Sequence, residues 1–327
     1  MDMTINSTQH GIVAIGGGTG ISTMLRGLKK HTDDLTAIVA VSDDGGGSGV
    51  LRNDLNMLPP GDIRNCIIAL SNTEHLMSRL LNYRFCEGSL SGQSFGNLFL
   101  AALNRVTGSF YHSVLYMSDV LAITGRVLPV TTEDVHIEAE FENGVVVRGE
   151  SNINVQKKIL DSPIKHIRMI PEKPKALSDT ISAITNAKLL IFGPGSLYTS
   201  VIPNLLVDGI VEAIRASTAR KVYICNVMTQ DGETENYTVT DHVKALFNHS
   251  FDGLFDTCVV NNAEIPQELI KKYAEEGAEP LIFNKNELLE MGIKLISRPL
   301  VSDKTPLARH DSDKLAEVIM SIYRGEL

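Results

Sequence analysis

The sequence predicts an α/β protein: a mostly parallel sheet with helices on both faces, interrupted by an inserted antiparallel hairpin lobe. Two observations carry that prediction. Short apolar runs rich in β-branched residues alternate with segments of helical apolar spacing, the mark of strand–helix–strand units whose strands are buried on both faces. Glycines and small polar residues also gather where successive strands should end, and open parallel sheets hold their ligands beyond those ends.

Taken in order, Gly11 to Ile15 reads as a buried strand, followed by a helix whose apolar stripe is Ile21, Met24, Leu25 and Leu28. Leu35 to Ser42 is a second buried strand. Ile63, Ile67 and Leu70 mark a helix after Pro59-Pro60-Gly61, with Asp62 in its first turn, and Phe95, Leu98, Phe99 and Ala102 mark another. Val135 to Glu140 and Val145 to Val147 flank Asn143-Gly144, a hairpin signal because Asn-Gly supplies positive φ angles. The stretch from about 125 to 174 is therefore expected to form the small lobe within a single domain covering 1–327. Leu189 to Phe192, Val222 to Val227, Cys258 to Val260 and Leu281 to Phe283 are the later strands. A helix near Ile210, Val211 and Ile214 falls between the first two, and Leu315, Val318, Ile319 and Ile322 form a closing helix.

Thirty basic and thirty-nine acidic side chains give a formal charge of −9, a field that does not attract nucleic acid or anionic lipid over long range. An anionic ligand then needs a locally positive site built from backbone N–H groups and a few arginines. Met1 to His10 lacks the basic start and apolar stretch of a signal peptide, and the apolar runs are far shorter than the roughly 20 residues of a membrane span. A soluble protein without membrane insertion is expected. Cys66, Cys86, Cys225 and Cys258 show no C-x-x-C spacing and read as reduced, buried thiols.

Four loops carry the chemistry. The first is Gly16 to Gly20, where Gly17, Gly18, Thr19 and Gly20 would let a phosphate approach a helix N-terminus. It is neither a G-x-G-x-x-G fingerprint nor a Walker A loop, and a plain tight turn is the alternative. The second, Ser42 to Gly49, sets Asp43 and Asp44 beside Gly45, Gly46 and Ser48. The paired carboxylates suit a ribose, a divalent cation such as Mg²⁺, or a base role. Third, Pro59 to Asn65 and Ser91 to Asn97 open helices and offer Asp62, Asn65, Ser94 and Asn97, either to a cleft or as ordinary caps. The fourth is Gly193 to Thr199, with Gly193, Gly195, Ser196, Tyr198 and Thr199, joined by Asn226, Thr229 and Gln230 after the next strand. No G-x-S-x-G elbow or H-E-x-x-H pair is present. Among the scattered histidines, His310 beside Arg309 stands out.

The segments GGGTGIS, SDDGGGSG, PPGDIRN, SGQSFGNL, GPGSLYTS and ICNVMTQDGET together resemble the gluconeogenesis factor (YvcK-like) family. That family lies within the CofD, or 2-phospho-L-lactate transferase, superfamily, and the resemblance covers nearly the whole chain. It implies a Rossmann-like core, a cytoplasmic bacterial protein, and a part in cell shape during growth on gluconeogenic carbon. It implies binding of a UDP-sugar such as UDP-N-acetylglucosamine, with no required cofactor and no established reaction; NAD is a further candidate occupant. The family's tyrosine and arginine fall on Tyr273 and Arg309 here, suited to stacking and to bidentate diphosphate contact respectively. The expected partners are the nucleotide ligand and other copies of the chain. The alternative is a Mg²⁺-dependent phosphoryl or phosphodiester transferase. The sequence shares that branch's GGTG and paired-Asp features but reads PPGDIRN where the transferase has an acidic P-D-x-D pattern.

Overall fold

The computed structural model describes residues 11–73, 75–302 and 306–327; the polar stretch Met1 to His10 lies outside the described residues. The core begins with β1 (Ile12–Gly16), α1 (Gly18–Leu28) and β2 (Leu35–Val39). Every residue of both strands is buried, as a two-faced parallel sheet requires, and the predicted α1 stripe is fully inaccessible. Helices α2 (Gly46–Leu55), α3 (Gly61–Leu70), α4 (His75–Asn82), α5 (Phe95–Thr107) and α6 (Phe110–Val120) precede β3 (Arg126–Pro129). A small sheet follows, from β4 (His136–Phe141), β5 (Val146–Arg148), α7 (Glu150–Leu160) and β6 (Ile164–Ile170). The alternation resumes with α8 (Ser178–Thr185), β7 (Leu189–Phe192), α9 (Ile202–Leu205), α10 (Ile210–Ala216), β8 (Arg220–Ile224) and α11 (Val239–Asn248). It ends with β9 (Thr257–Asn261), α12 (Gln267–Glu275), α13 (Lys285–Glu290), β10 (Lys294–Arg298) and α14 (Ser312–Arg324).

The large sheet has the order β10-β9-β8-β7-β1-β2-β3, and all its pairings are parallel. Ala14 of β1 stands opposite Ala37 on one side and Ile191 on the other. The chain thus winds outward in both directions from β1, and strand order reverses between β1 and β7. A crevice opens at such a reversal because the connections on either side leave toward opposite faces. The small sheet, β5-β4-β6, is antiparallel. In β4, Ile137, Ala139 and Phe141 are buried while their neighbours are half-exposed, the period-two pattern of a sheet with one covered face.

Several expectations need correction. The lobe was expected over about 125–174, yet β3 pairs with β2 in the main sheet, so the separate sheet spans only His136 to Ile170. In the Asn143-Gly144 turn only Gly144 has positive φ, at 82°, and the Asn143 carboxamide accepts from Val145 N–H instead, at 3.1 Å. On α5 the buried face is Gly96, Asn97, Leu100 and Ala101, displaced from the predicted stripe; Phe95 and Phe99 stack on each other. Leu281 to Phe283 is not a strand. It makes single backbone bonds to Val227 and Val239, and the missing edge strand is β10. Cys66, Cys225 and Cys258 are buried, but Cys86 is exposed.

Helices α1 and α14 pack at the point where Gly27 meets the backbone of Ser312: a Cβ at Gly27 would stand 1.9 Å from the Ser312 carbonyl oxygen. Gly27→Ala should therefore destabilise the fold by roughly 1–3 kcal/mol through overpacking, although alanine is the better helix former. Urea denaturation checks this. A midpoint no lower than the parent's would show that the two helices separate without cost.

Candidate functional site

The loops after β1, β7 and β8 meet at the switch point. Gly17 caps α1 with extended backbone and no side-chain hydrogen bond, so the first turn of α1 keeps donors turned outward. Gly20 sits so close to the second loop that a Cβ would lie 2.5 Å from the Pro194 carbonyl oxygen. The β7 and β8 loops are clasped by a two-way bond. Gly195 N–H donates to Asn226 Oδ1 at 3.1 Å, and Asn226 Nδ2 donates to Gly195 O at 2.9 Å. Ser196 Oγ donates to Gln230 Oε1 at 2.7 Å. From α9, Asn204 Nδ2 donates to Gly16 O at 3.1 Å and holds the end of β1.

These loops enclose a cavity of about 350 Å³. It gathers Gly17, Gly18, Thr19 and Gly20 from the first loop and Gly195 and Ser196 from the fourth. Asn226, Thr229, Gln230, Tyr273 and Arg309 complete the predicted set. Thr23, Ser200, Met228 and His310 also line it. The first two follow the glycine loops by one helical turn, a signal the sequence carried. Arg309 is exposed at the wall. His310 is buried, its Nε2 has no hydrogen-bond partner among the described residues, and burial pushes its pKa down to about 4. It is therefore neutral near pH 7, and Arg309 supplies the cationic side chain of the wall.

The remaining predicted residues lie elsewhere. Tyr198 and Thr199 are buried: Tyr198 Oη bonds Tyr237 Oη at 2.8 Å, packing the small sheet's neighbourhood rather than facing the cavity. Gly193 lies in the turn behind the wall, outside the lining. The Ser42 to Gly49 segment is not a flexible loop, because α2 begins within it at Gly46. Asp43 and Asp44 part company. Asp43 accepts from Gly45 N–H at 2.8 Å, whereas Asp44 turns to α7 and accepts from Ser151 N–H at 2.9 Å. The two neighbouring carboxylates thus take different partners, and the described residues hold no group of three or more His, Cys, Asp or Glu arranged for a metal ion. Gly45, Gly46 and Ser48 stay with this segment, away from the cavity. Asn65 accepts from Arg64 at 2.5 Å. Ser94 caps α5 by accepting from Asn97 N–H, and the Arg64 guanidinium donates to the Ser94 hydroxyl. Ser94 thus acts as a cap, Asn65 holds the Arg64 side chain from within α3, and Asn97 is buried beneath.

Asp62 joins the two regions. It accepts from Gly18 N–H behind the cavity wall, and burial with the nearby Asp43 charge raises its pKa to about 7. Burial also raises Asp43 and lifts Glu150 well above the usual range. Glu233, which sequence reasoning missed, is wholly buried and accepts from Leu197 N–H at 3.0 Å. It thereby takes up the Leu197 N–H of the fourth loop. Burial raises its pKa to about 7 against the lowering effect of its N–H donors.

The folded chain thus holds a proton on Glu233 at pH values where the unfolded chain, with the ordinary value of 4.5, has lost it. That contribution to stability is full below the unfolded value and is lost as pH rises through the folded value. Glu233→Gln removes this dependence. Relative to the parent, the variant should gain about 1–3 kcal/mol between about pH 5 and 8, read from denaturation midpoints. A pH-independent difference would place the Glu233 pKa near its ordinary value.

Comparison with known proteins agrees with this architecture. Residues 12–301 match the family described as 2-phospho-L-lactate transferase CofD. The chain is 48% identical over 314 residues to the gluconeogenesis factor of Bacillus subtilis, covering 96% of this chain and 98% of that one. It is 46% identical to the gluconeogenesis factor of Halalkalibacterium halodurans, over 94% and 95% of the two chains. A crystal structure of a UPF0052 family member from Bacillus halodurans superposes with a TM-score of 0.91 at 45% identity, covering 95% of this chain and 99% of that one. With its switch-point cavity, its glycine loops and this near full-length likeness, the chain belongs to the gluconeogenesis factor family within the CofD superfamily.

Proposed function

We propose that the protein is a nucleotide-sugar-binding regulator, taking a UDP-sugar such as UDP-N-acetylglucosamine in the switch-point cavity and serving cell morphogenesis under gluconeogenic growth. The observation that carries this reading is the cavity wall itself, which sets Arg309 and the N-terminus of α1 around one space. A diphosphate lodged there receives the backbone N–H groups of the Gly17 to Gly20 turn other than that of Gly18, and a guanidinium fork from Arg309. In a chain of net charge −9, such local donors are what make an anion welcome. Tyr273 adds a flat face with a polar tip. The rest of the wall mixes hydroxyls and amides (Thr19, Thr23, Ser196, Ser200, Asn226, Thr229 and Gln230) with the apolar side chains of Val227, Met228 and Ala308. The relatives named gluconeogenesis factor support the physiological half of the reading. No helix among the described residues is long and apolar enough to cross a membrane.

Phosphodiester transfer is the second reading, favoured by the match to the family described as 2-phospho-L-lactate transferase. Asp62, bonded to the phosphate-facing turn from behind, is then the carboxyl adjoining the reacting groups. Incubation with nucleotide donors and Mg²⁺, followed by mass spectrometry, separates the readings: a new phosphodiester favours transfer, and recovery of unchanged donor favours a binding role.

Titration calorimetry with UDP-N-acetylglucosamine, UDP and NAD tests the first reading. Binding of a UDP compound is expected, and no heat with any of the three overturns the proposal. Arg309→Ala should weaken UDP binding by about 1.5–3 kcal/mol, the loss of a charged hydrogen bond. An unchanged affinity would remove Arg309 from the diphosphate site.

A further inference from the structure

Two further cavities share walls with the switch-point cavity. One, of about 690 Å³, shares Val227; the other, of about 630 Å³, shares Thr229, Gln230 and Tyr273. Helix α12 and its C-terminal end run past all three. Gln267 and Ile270 line the first flanking cavity, Tyr273 lines the centre, and Glu275 and Glu276 line the second. At a rise of 1.5 Å per residue, Gln267 to Glu276 spans about 14 Å, enough to carry recognition groups from one end of a nucleoside diphosphate sugar toward the other.

The two ends differ in chemistry. On the Val227 side, Ile265, Ile270 and Leu281 present apolar surface, and Asn262 and Gln267 bring exposed side-chain amides. Neighbouring Asn261 is already committed. Its Oδ1 accepts from Ala263 and Leu300 N–H, at 3.1 and 2.9 Å, and its Nδ2 donates to Ala263 O. No such bond engages the Asn262 or Gln267 amide among the described residues. Glu264 also lies on this wall and offers an acceptor. An aromatic base matches this site, because its faces seek apolar contact and its edge carries the adjacent donor and acceptor that a primary amide pairs with. On the other side stand Asp231, Glu275 and Glu276, with Lys158 paired to Asp231. Carboxylates accept from the hydroxyls of a sugar and give a flat base little apolar cover.

We infer that the cavity beside Val227 is the base site of the nucleotide, with Asn262 and Gln267 as its specificity-determining residues. The sugar then lies over Tyr273 toward Glu275 and Glu276. This assignment rests on the nucleotide-sugar reading above and adds the direction in which the ligand lies.

Calorimetry on the parent, Asn262→Ala, Gln267→Ala and the double variant tests it, with UDP-N-acetylglucosamine, UDP, ADP and inorganic pyrophosphate as probes. Both side chains are exposed, so the fold should survive, and thermal melts confirm that. The double variant should bind UDP and UDP-N-acetylglucosamine about tenfold more weakly, by the same factor for each. Pyrophosphate binding should be unchanged, and the preference for UDP over ADP should shrink. A loss confined to UDP-N-acetylglucosamine reverses the ligand and overturns the inference. So does an unchanged affinity for all probes, or an equal loss that includes pyrophosphate. A parent protein that binds none of the probes overturns the nucleotide reading itself, a result distinct from failure of the subsite alone.

Discussion

The approach of Gly20 to the Pro194 carbonyl oxygen governs the switch-point cavity. Parallel pairing of β1 with β7 brings their two exits side by side, but the exits can share one space only if the backbone of one turn rests on the other. A methyl group at Gly20 would stand 2.5 Å from that oxygen, so the first turn of α1 would be pushed off the fourth loop. The Asn226 clasp fixes the third wall to the second by two bonds. Loops from three strands thus become one surface, which the cyclic bonding of a single loop could not provide.

A second constraint concerns charge. Helix N-termini attract anions, and this chain satisfies several of its own with internal carboxylates. Asp62 reaches Gly18, Asp43 reaches Gly45, Asp44 reaches Ser151 and Glu233 reaches Leu197. Crowding these groups out of water raises the pKa of Asp43, Asp62 and Glu233, because each carboxylate must be desolvated and some repel one another. The donors facing the cavity are those not consumed in this way. Arg309 strengthens them from a distant part of the sequence, without altering the negative surface as a whole.

Most of the sheet was legible in the sequence because short β-branched runs such as Ile12 to Ile15, alternating with helical patterns, fit strands buried on both faces of a parallel sheet. β10 was missed because Lys294 to Arg298 is an edge strand with polar ends, which lacks that signal, while Leu281 to Phe283 carries apolar residues without a ladder; Ile282 is 67% exposed. At the site, the glycine loops after β1 and β7 were readable from composition alone. What composition could not show was which small residues cap helices and which line the cavity: Ser94 and Asn97 look like Ser196 and Asn226 until their places in the fold are seen. Tyr198 carries a polar tip that a binding role and a buried bond to Tyr237 explain equally well in one dimension. Glu233 lies within the ICNVMTQDGET segment, but its meaning comes from a loop 36 residues earlier. Tyr273 and Arg309 were placed by family likeness, and the cavity contains both.

The small sheet is tied to the switch-point cavity through its helix. Lys157 lies 2.9 Å from Glu235, with both side chains largely buried, and Lys158 pairs with Asp231, so α7 grips both sides of the segment that follows Thr229 and Gln230. Any rotation of the small sheet must either break these pairs or drag the cavity wall with it. Position and occupancy are then thermodynamically linked: whatever factor a bound ligand imposes on contacts at the small sheet's surface, those contacts return to the ligand's affinity.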